Sequence, residues 1–357
     1  IVGNDGGIAI TYDRGAHWRF VENLTLAQFY HISLDDAVPF NVYGGLQDNG
    51  SWFGPNTVWE SRGIMNAHWR RVGGGDGFSV FNDPSDSDYG YSMSQQGNLL
   101  RFAKETGQRV GIQPVHPDGE YLRFNWNAGL NVDPFDPNVL YLGSQFVHRT
   151  RDQGQSWEII SPDLTTNEPE KQLQDQSGGL TLDATGAENH TTILSISPSP
   201  LQRGLIWAST DDGNVQVSED DGGTWRNVGD RIPDVPRGTW VPHVEPSAHD
   251  ARTAFVVLED HRRGNWRPYV YKTNDLGESW NALSDNGIDA FVHVLREDVI
   301  EPNLLFLGTE FGLRVSVDGG ESWMHWTHGV PPAPVRDLRL HPRDHDLVLG
   351  THGRGAL

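Results

Sequence analysis

The chain has 357 residues with 41 Gly, 21 Pro and no Cys, and its 48 Asp+Glu against 27 Lys+Arg give a formal net charge of −21 at pH 7. Such an acidic balance excludes nucleic acid and anionic membrane surfaces as natural partners, and a chain without cysteine has no disulfides and no thiol chemistry. No apolar run of about 18 residues occurs, so no membrane-spanning helix is expected.

Residues 1–22 supply the last strands of a repeating unit and close on Thr11-Tyr12-Asp13-Arg14-Gly15-Ala16-His17-Trp18. That eight-residue pattern, Ser/Thr-x-Asp-x-Gly-x-Ser/Thr-Trp, returns at residues 150–157, 218–225, 273–280 and 316–323, with His17 in place of the second hydroxyl residue in the first copy. Its chemistry is that of a turn. The carboxylate accepts backbone N–H groups just ahead of it, glycine supplies positive φ, and the second hydroxyl ties the far side back to the backbone. The Trp then opens the next strand as a plate for burial, with an N–H to place. Asp13, Asp152, Asp220, Asp275 and Asp318 are therefore read as structural.

Upstream of each turn an alternating segment, such as residues 214–218 or 310–317, predicts a half-buried strand. Before it lies a continuous apolar run, such as Leu304-Leu305-Phe306-Leu307-Gly308, which suits a strand covered on both faces. A Pro turn comes earlier still, as at Asp83-Pro84 and Asp133-Pro134, with another strand leading into it. Four antiparallel strands repeated along a chain are the blades of a β-propeller. Whole blades are expected over about 28–327 and partial ones at 1–22 and 335–357. The blades at 28–72 and 77–113 lack the turn motif, and the gap between Asp13 and Asp152 is long enough to hold both. The prediction is one all-β domain over 1–357, a propeller of seven four-stranded blades if the terminal pieces share one blade, or of eight. A polar insert at 161–189 separates two blades and is either a binding element or a clasp. Both ends look cut, so the chain reads as part of a longer one.

The repeated turn is the Asp box found in sialidases, sortilin-type receptor propellers and two-propeller glycoside hydrolases that cut xyloglucan. Along most of its length the chain resembles bacterial secreted Asp-box (BNR-type) proteins described as sortilin-like or glycosyl-hydrolase-like. The likeness is carried by Tyr43-Gly44-Gly45-Leu46-Gln47-Asp48-Asn49-Gly50, Gly73-Gly74-Gly75-Asp76-Gly77-Phe78, Ser161-Pro162-Asp163-Leu164-Thr165 and Gly350-Thr351-His352-Gly353-Arg354-Gly355. The resemblance implies a secreted, periplasmic or cell-surface location and an additional propeller preceding this region.

In a propeller the Asp-box and Pro turns fall on one face, while inner-strand starts and the hairpins after the buried strands fall on the other, where the central channel opens. Candidate ligand-binding residues on that second face are Trp52, Gln95, Gln145, Asp211, Glu310, His352 and Arg354, with Asp5 in the first hairpin. Asp48 and Asp76, in adjacent units beside Trp52, Trp59 and Trp69, are the candidate catalytic pair, because glycoside hydrolysis needs two carboxylates and an aromatic plate for the sugar. The bland reading is that Asp-Gly and Asn-Gly pairs simply make tight hairpins. No metal site, cofactor loop or nucleophile elbow is evident. Two functions follow: a binding and assembly module for a glycan or protein partner, including a second propeller of the same chain, or a glycoside hydrolase whose cleft lies between two propellers.

Overall fold

The computed structural model describes residues 1–4, 7–21, 24, 26–173, 189–283 and 287–357. Asp5 and residues 174–188 of the expected insert lie outside the described residues. Strands and short 3₁₀ turns make up the regular structure, with no α-helix among the described residues.

Among the described residues eight antiparallel sheets follow one another along the chain. The first has three strands, β1 (Val2–Asn4), β2 (Gly7–Ile10) and β3 (Arg19–Phe20). Six four-stranded sheets follow. The second holds β4 (Phe29–Leu34), β5 (Asn41–Leu46), β6 (Gly50–Pro55) and β7 (Arg70–Gly73). The third holds β8 (Gly77–Asn82), β9 (Tyr89–Ser94), β10 (Asn98–Ala103) and β11 (Arg109–Gly111). The fourth holds β12 (Leu130–Val132), β13 (Leu140–Gly143), β14 (Val147–Thr150) and β15 (Glu158–Ile159). The fifth holds β16 (Ile193–Pro198), β17 (Ile206–Thr210), β18 (Val215–Ser218) and β19 (Arg226–Asn227). The sixth holds β20 (Trp240–Pro246), β21 (Ala254–Asp260), β22 (Asn265–Thr273) and β23 (Asn281–Ala282). The seventh holds β24 (Val292–Glu297), β25 (Leu305–Thr309), β26 (Gly312–Ser316) and β27 (Met324–Trp326). The eighth has two strands, β28 (Val335–Leu340) and β29 (Leu347–Thr351).

The first strand of a sheet packs on the opening strands of the sheet before it: β8 on β4 and β5, β16 on β12 and β13, β20 on β16 and β17, β24 on β20 and β21, β28 on β24 and β25. Phe78, Tyr91 and Met93 meet Leu140 and Leu142 in one buried cluster, which joins the third sheet to the fourth. Packing of β28 and β29 on β4 then closes the circle. The fold is a β-propeller with eight sheets among the described residues, of which the second to the eighth close the circle. The terminal pieces do not merge into one blade. The eighth sheet stands as its own pair and closes on the second, while the first sheet contributes to no buried cluster among the described residues and leaves Trp18 and Phe20 half exposed.

Side chains of the eighth sheet stitch this closure to the backbone of β4 and the turn after it. Asp337 Oδ2 accepts the Ile32 N–H at 3.1 Å, and Arg339 Nε donates to the Ile32 carbonyl at 2.8 Å. Arg343 donates to the Asp36 and Ala37 carbonyls at 2.9 and 3.0 Å. Phe40 stacks on His341 with ring centroids 4.3 Å apart.

The repeated turn is a closed local circuit. Taking the last copy, Ser316 Oγ donates to Asp318 Oδ1 at 2.7 Å and accepts the Gly320 N–H at 2.8 Å. Asp318 in turn accepts the Ser322 N–H at 3.0 Å and its hydroxyl at 2.6 Å. The second hydroxyl thus binds the carboxylate rather than the backbone. The four later copies also reach the preceding sheet. Trp157, Trp225, Trp280 and Trp323 donate their indole N–H to the carbonyls of Ile112, Ile160, Val228 and Leu283, the residues that follow the outermost strands.

The third strands depart from the half-buried expectation: β14, β18 and β26 are buried throughout. Their alternate polar residues face neighbouring segments that satisfy them, as Arg314 does with Asp289 and Gln216 with the Leu164 carbonyl.

Candidate functional site

The sheets surround a channel whose cavity of about 300 Å³ is lined by the first strands and their approaches, including Tyr30, Phe78, Trp126, Asn127, Trp240, His243, His293, Arg296, Arg336 and Arg339. Inner-strand starts and second-strand hairpins do share one face. Glu310, in the hairpin between β25 and β26, lies 3.0 Å from His293 at the start of β24. Asp211, after β17, accepts the N–H and hydroxyl of Thr192 at 2.9 and 2.6 Å.

The candidate residues of this face divide into those already committed to the fold and those at the mouth. Gln145 is fully buried; its Oε1 accepts the Arg123 N–H at 2.8 Å and its Nε2 donates to the Tyr121 carbonyl at 3.0 Å. Asp211, also fully buried, further accepts Asn125 Nδ2 at 3.1 Å and faces His190 Nδ1 at 3.2 Å. Asp76 is buried, accepting the Asp48 N–H on Oδ1 at 2.7 Å and the Trp126 indole N–H on Oδ2 at 3.2 Å. The structure therefore brings Asp48 and Asp76 together, but through the Asp48 backbone. Asp48 itself is exposed, with φ of 59° in the left-handed region that Asp tolerates. Trp52 donates its indole N–H to the Asn49 carbonyl at 2.7 Å, bracing its own hairpin. Gln95 is half-buried beside Gly75, where an added Cβ would lie 2.3 Å from its Oε1.

Glu310 and His352 belong to a charged cluster built by the sixth, seventh and eighth sheets. His293 Nδ1 lies 3.7 Å from Glu259 Oε2 and 3.3 Å from Arg336 Nη1, while its Nε2 holds Glu310. Arg262 pairs with Glu259 at 2.6 Å and stacks over Trp240, 3.7 Å from the ring centroid. Burial alone would raise the Glu259 carboxyl, but His293 and the Arg262 charge outweigh it and hold it well below the usual carboxylate range. The His293 bond likewise lowers the Glu310 carboxyl. Burial, and then the charge of Arg336, depress the His352 imidazole. Arg354 is exposed near the chain's end, its N–H bonded to Thr351 Oγ1 at 3.1 Å.

An aromatic ledge adjoins this cluster. His261 stacks on Phe291 with centroids 4.7 Å apart, Trp266 lies 5.5 Å from Phe291, and Trp266 and Phe311 are 61 % and 55 % exposed. Deeper in the channel, Arg296 bridges Glu245 and Asp337, and Arg339 meets Asp337 at 3.3 Å. Sequence reading missed the roles of His293, Arg262, Trp240 and Asp337. The only available signal was their shared position at the start of a first strand or the end of a second.

Among the described residues no group of three or more His, Cys, Asp or Glu side chains is arranged to hold a metal ion. None of their helices is long and apolar enough to cross a membrane.

No protein-family model matches the chain, and no curated protein matches it. Solved structures do. It is similar to a GH74 xyloglucanase from Xanthomonas campestris, at 20 % identity and a TM-score of 0.65 over 95 % of this chain and 53 % of that one. It is similar to a GH74 enzyme from Niastella koreensis, at 15 % identity and a TM-score of 0.60 over 92 % and 52 %. The extracellular domain of a one-component system from B. thetaiotaomicron matches at 12 % identity and a TM-score of 0.58, over 93 % of this chain and 38 % of that one. The chain spans about half the length of the GH74 structures, and what these likenesses establish is the propeller fold.

Proposed function

We propose that the chain is an extracytoplasmic glycan-binding propeller that takes its ligand at the channel mouth. The observation that carries this reading is the exposed Trp266, packed on the His261–Phe291 stack beside the Glu259–His293–Glu310–Arg336 cluster, with the exposed Phe311 next to Glu310 in sequence. Aromatic faces stack on sugar rings, and a few convergent polar groups fix the hydroxyls. The fold's occurrence in xyloglucan-degrading enzymes and in an extracellular domain supports both the ligand class and the location. A protein partner, or a second propeller of the same chain, is the other occupant this face would suit. The test is binding to arrayed polysaccharides. Trp266→Ala and Phe311→Ala are expected to weaken retention at least tenfold without changing the melting temperature, and a chain that retains no glycan ends the proposal.

The proximity of Asp48 and Asp76 favours a second reading, hydrolysis by a carboxylate pair. It requires carboxyl groups roughly 5–9.5 Å apart with one free to protonate a leaving group. Both oxygens of Asp76 already accept hydrogen bonds, which favours a positioning role for it. Reducing-end release from xyloglucan, lost in Asp48→Asn, would establish hydrolysis; no release above background removes it.

A further inference from the structure

The carboxylates in and around the channel are paired. Glu259 holds Arg262, Glu245 and Asp337 share Arg296, Asp337 also meets Arg339, and Glu310 holds His293. Arg336 differs from the other arginines lining the cavity: among the described residues it has no carboxylate within ion-pair distance, and its hydrogen bond is Nη1 to the His293 imidazole at 3.3 Å. A half-buried guanidinium with one such hydrogen bond keeps most of its five-donor fork for something else. That fork lines a cavity of about 300 Å³ together with Tyr30, Trp126, Trp240, Asn127 and Asn131. The volume is at the low end of ligand pockets, roughly 300–1,000 Å³, with room for one sugar ring rather than a chain.

Resting on the glycan-binding reading, we propose that the channel accepts a single acidic sugar residue of the hexuronic-acid type, its carboxylate held by Arg336. The carboxylate answers the uncommitted fork, and the Trp126 ring and Asn127 side chain line the same cavity for the sugar's ring and hydroxyls.

Calorimetric titration of the folded chain with glucuronate, glucose, acetate and inorganic phosphate tests this. Glucuronate is expected to bind at least tenfold more tightly than the other three. Arg336→Gln should remove that advantage, bringing glucuronate down to the affinity of glucose, without changing the melting temperature, because no ion pair is lost. Should Arg336→Gln not fold, Arg336→Lys keeps the charge without the fork, and a severalfold loss is expected. Equal binding of acetate or phosphate means a generic anion well and overturns the proposal, as does glucuronate binding indifferent to Arg336. Neutral polysaccharides that still bind, and are lost in Trp266→Ala, would leave the glycan reading standing while this inference fails.

Discussion

At the scale of single residues, the propeller repeats a device that spans one Pro turn. Asp35, Asp83 and Asp133 each accept the hydroxyl of a tyrosine eight positions on, at 2.8, 2.9 and 2.8 Å for Tyr43, Tyr91 and Tyr141. Burial, then the carboxylate's charge or hydrogen bond, raises all three phenols far above their ordinary range. Tyr91→Phe removes one hydroxyl from a buried carboxylate that Ser85 and Arg101 still hold, and is expected to cost about 1–2 kcal/mol in urea unfolding. Asp76 invites a sharper comparison. Asp76→Ala strands the Asp48 N–H and the Trp126 indole N–H, for an expected loss of about 1–3 kcal/mol. Asp48→Asn keeps a residue that tolerates positive φ and should melt with the parent. If Asp76→Ala melts normally, the positioning role given to it here is wrong.

Between elements, four of the five repeated turns bind the sheet before them. Gly222 has φ of 90°, and an added Cβ would lie 2.8 Å from the Ile160 carbonyl oxygen that also accepts the Trp225 indole N–H. Gly222→Ala therefore combines backbone strain with a clash against rigid backbone, and a loss of about 2–4 kcal/mol is expected by chemical denaturation. Trp225→Phe leaves that carbonyl without its donor and should cost about 1–2 kcal/mol. This turn was legible in the sequence because its circuit closes within eight residues, as the bonds of Ser316, Asp318 and Ser322 illustrate. The third strands were misjudged because alternation records polarity and not partners: Arg314 reads as a solvent residue until Asp289 lies against it. The mouth cluster was legible only in fragments. Glu310 and His352 were legible from hairpin positions and Arg336 from its place at an inner-strand start, but the meeting of Arg336 with His293 spans 43 residues of chain, with no local spacing to announce it.

For the whole molecule, acid is expected to act in two windows. Burial pushes the His148 imidazole down to about 4, where Ser144 Oγ meets Nε2 at 2.7 Å. The unfolded chain takes that proton near 6.5, so stability falls as pH drops from about 6.5 to 4, by up to about 3 kcal/mol, and this contribution is flat below. His148→Gln should flatten the upper window in urea titrations taken at stepped pH. The carboxylates of Asp275 and Asp318 sit lower, held at about 2 chiefly by the Ser279 and Ser322 hydroxyls. Their contribution is complete above the ordinary 3.8 and is lost as pH falls from there through about 2.

The closure of the circle also sets an order of events during synthesis. Asp337 and the Ile32 N–H it accepts are separated by 305 positions, so β4 waits for its last neighbour until nearly every other sheet has been made. Through that interval the emerging chain presents one face of β4 uncovered, and the final step is a long-range encounter of the kind that slows folding. Refolding should accordingly end in a slow phase reported by burial around Ile32, and Arg339→Ala, which removes a bond to the Ile32 carbonyl, should quicken unfolding. Pulse-labelling hydrogen exchange that protects Ile32 as early as Val256 in the middle of the chain would contradict this order.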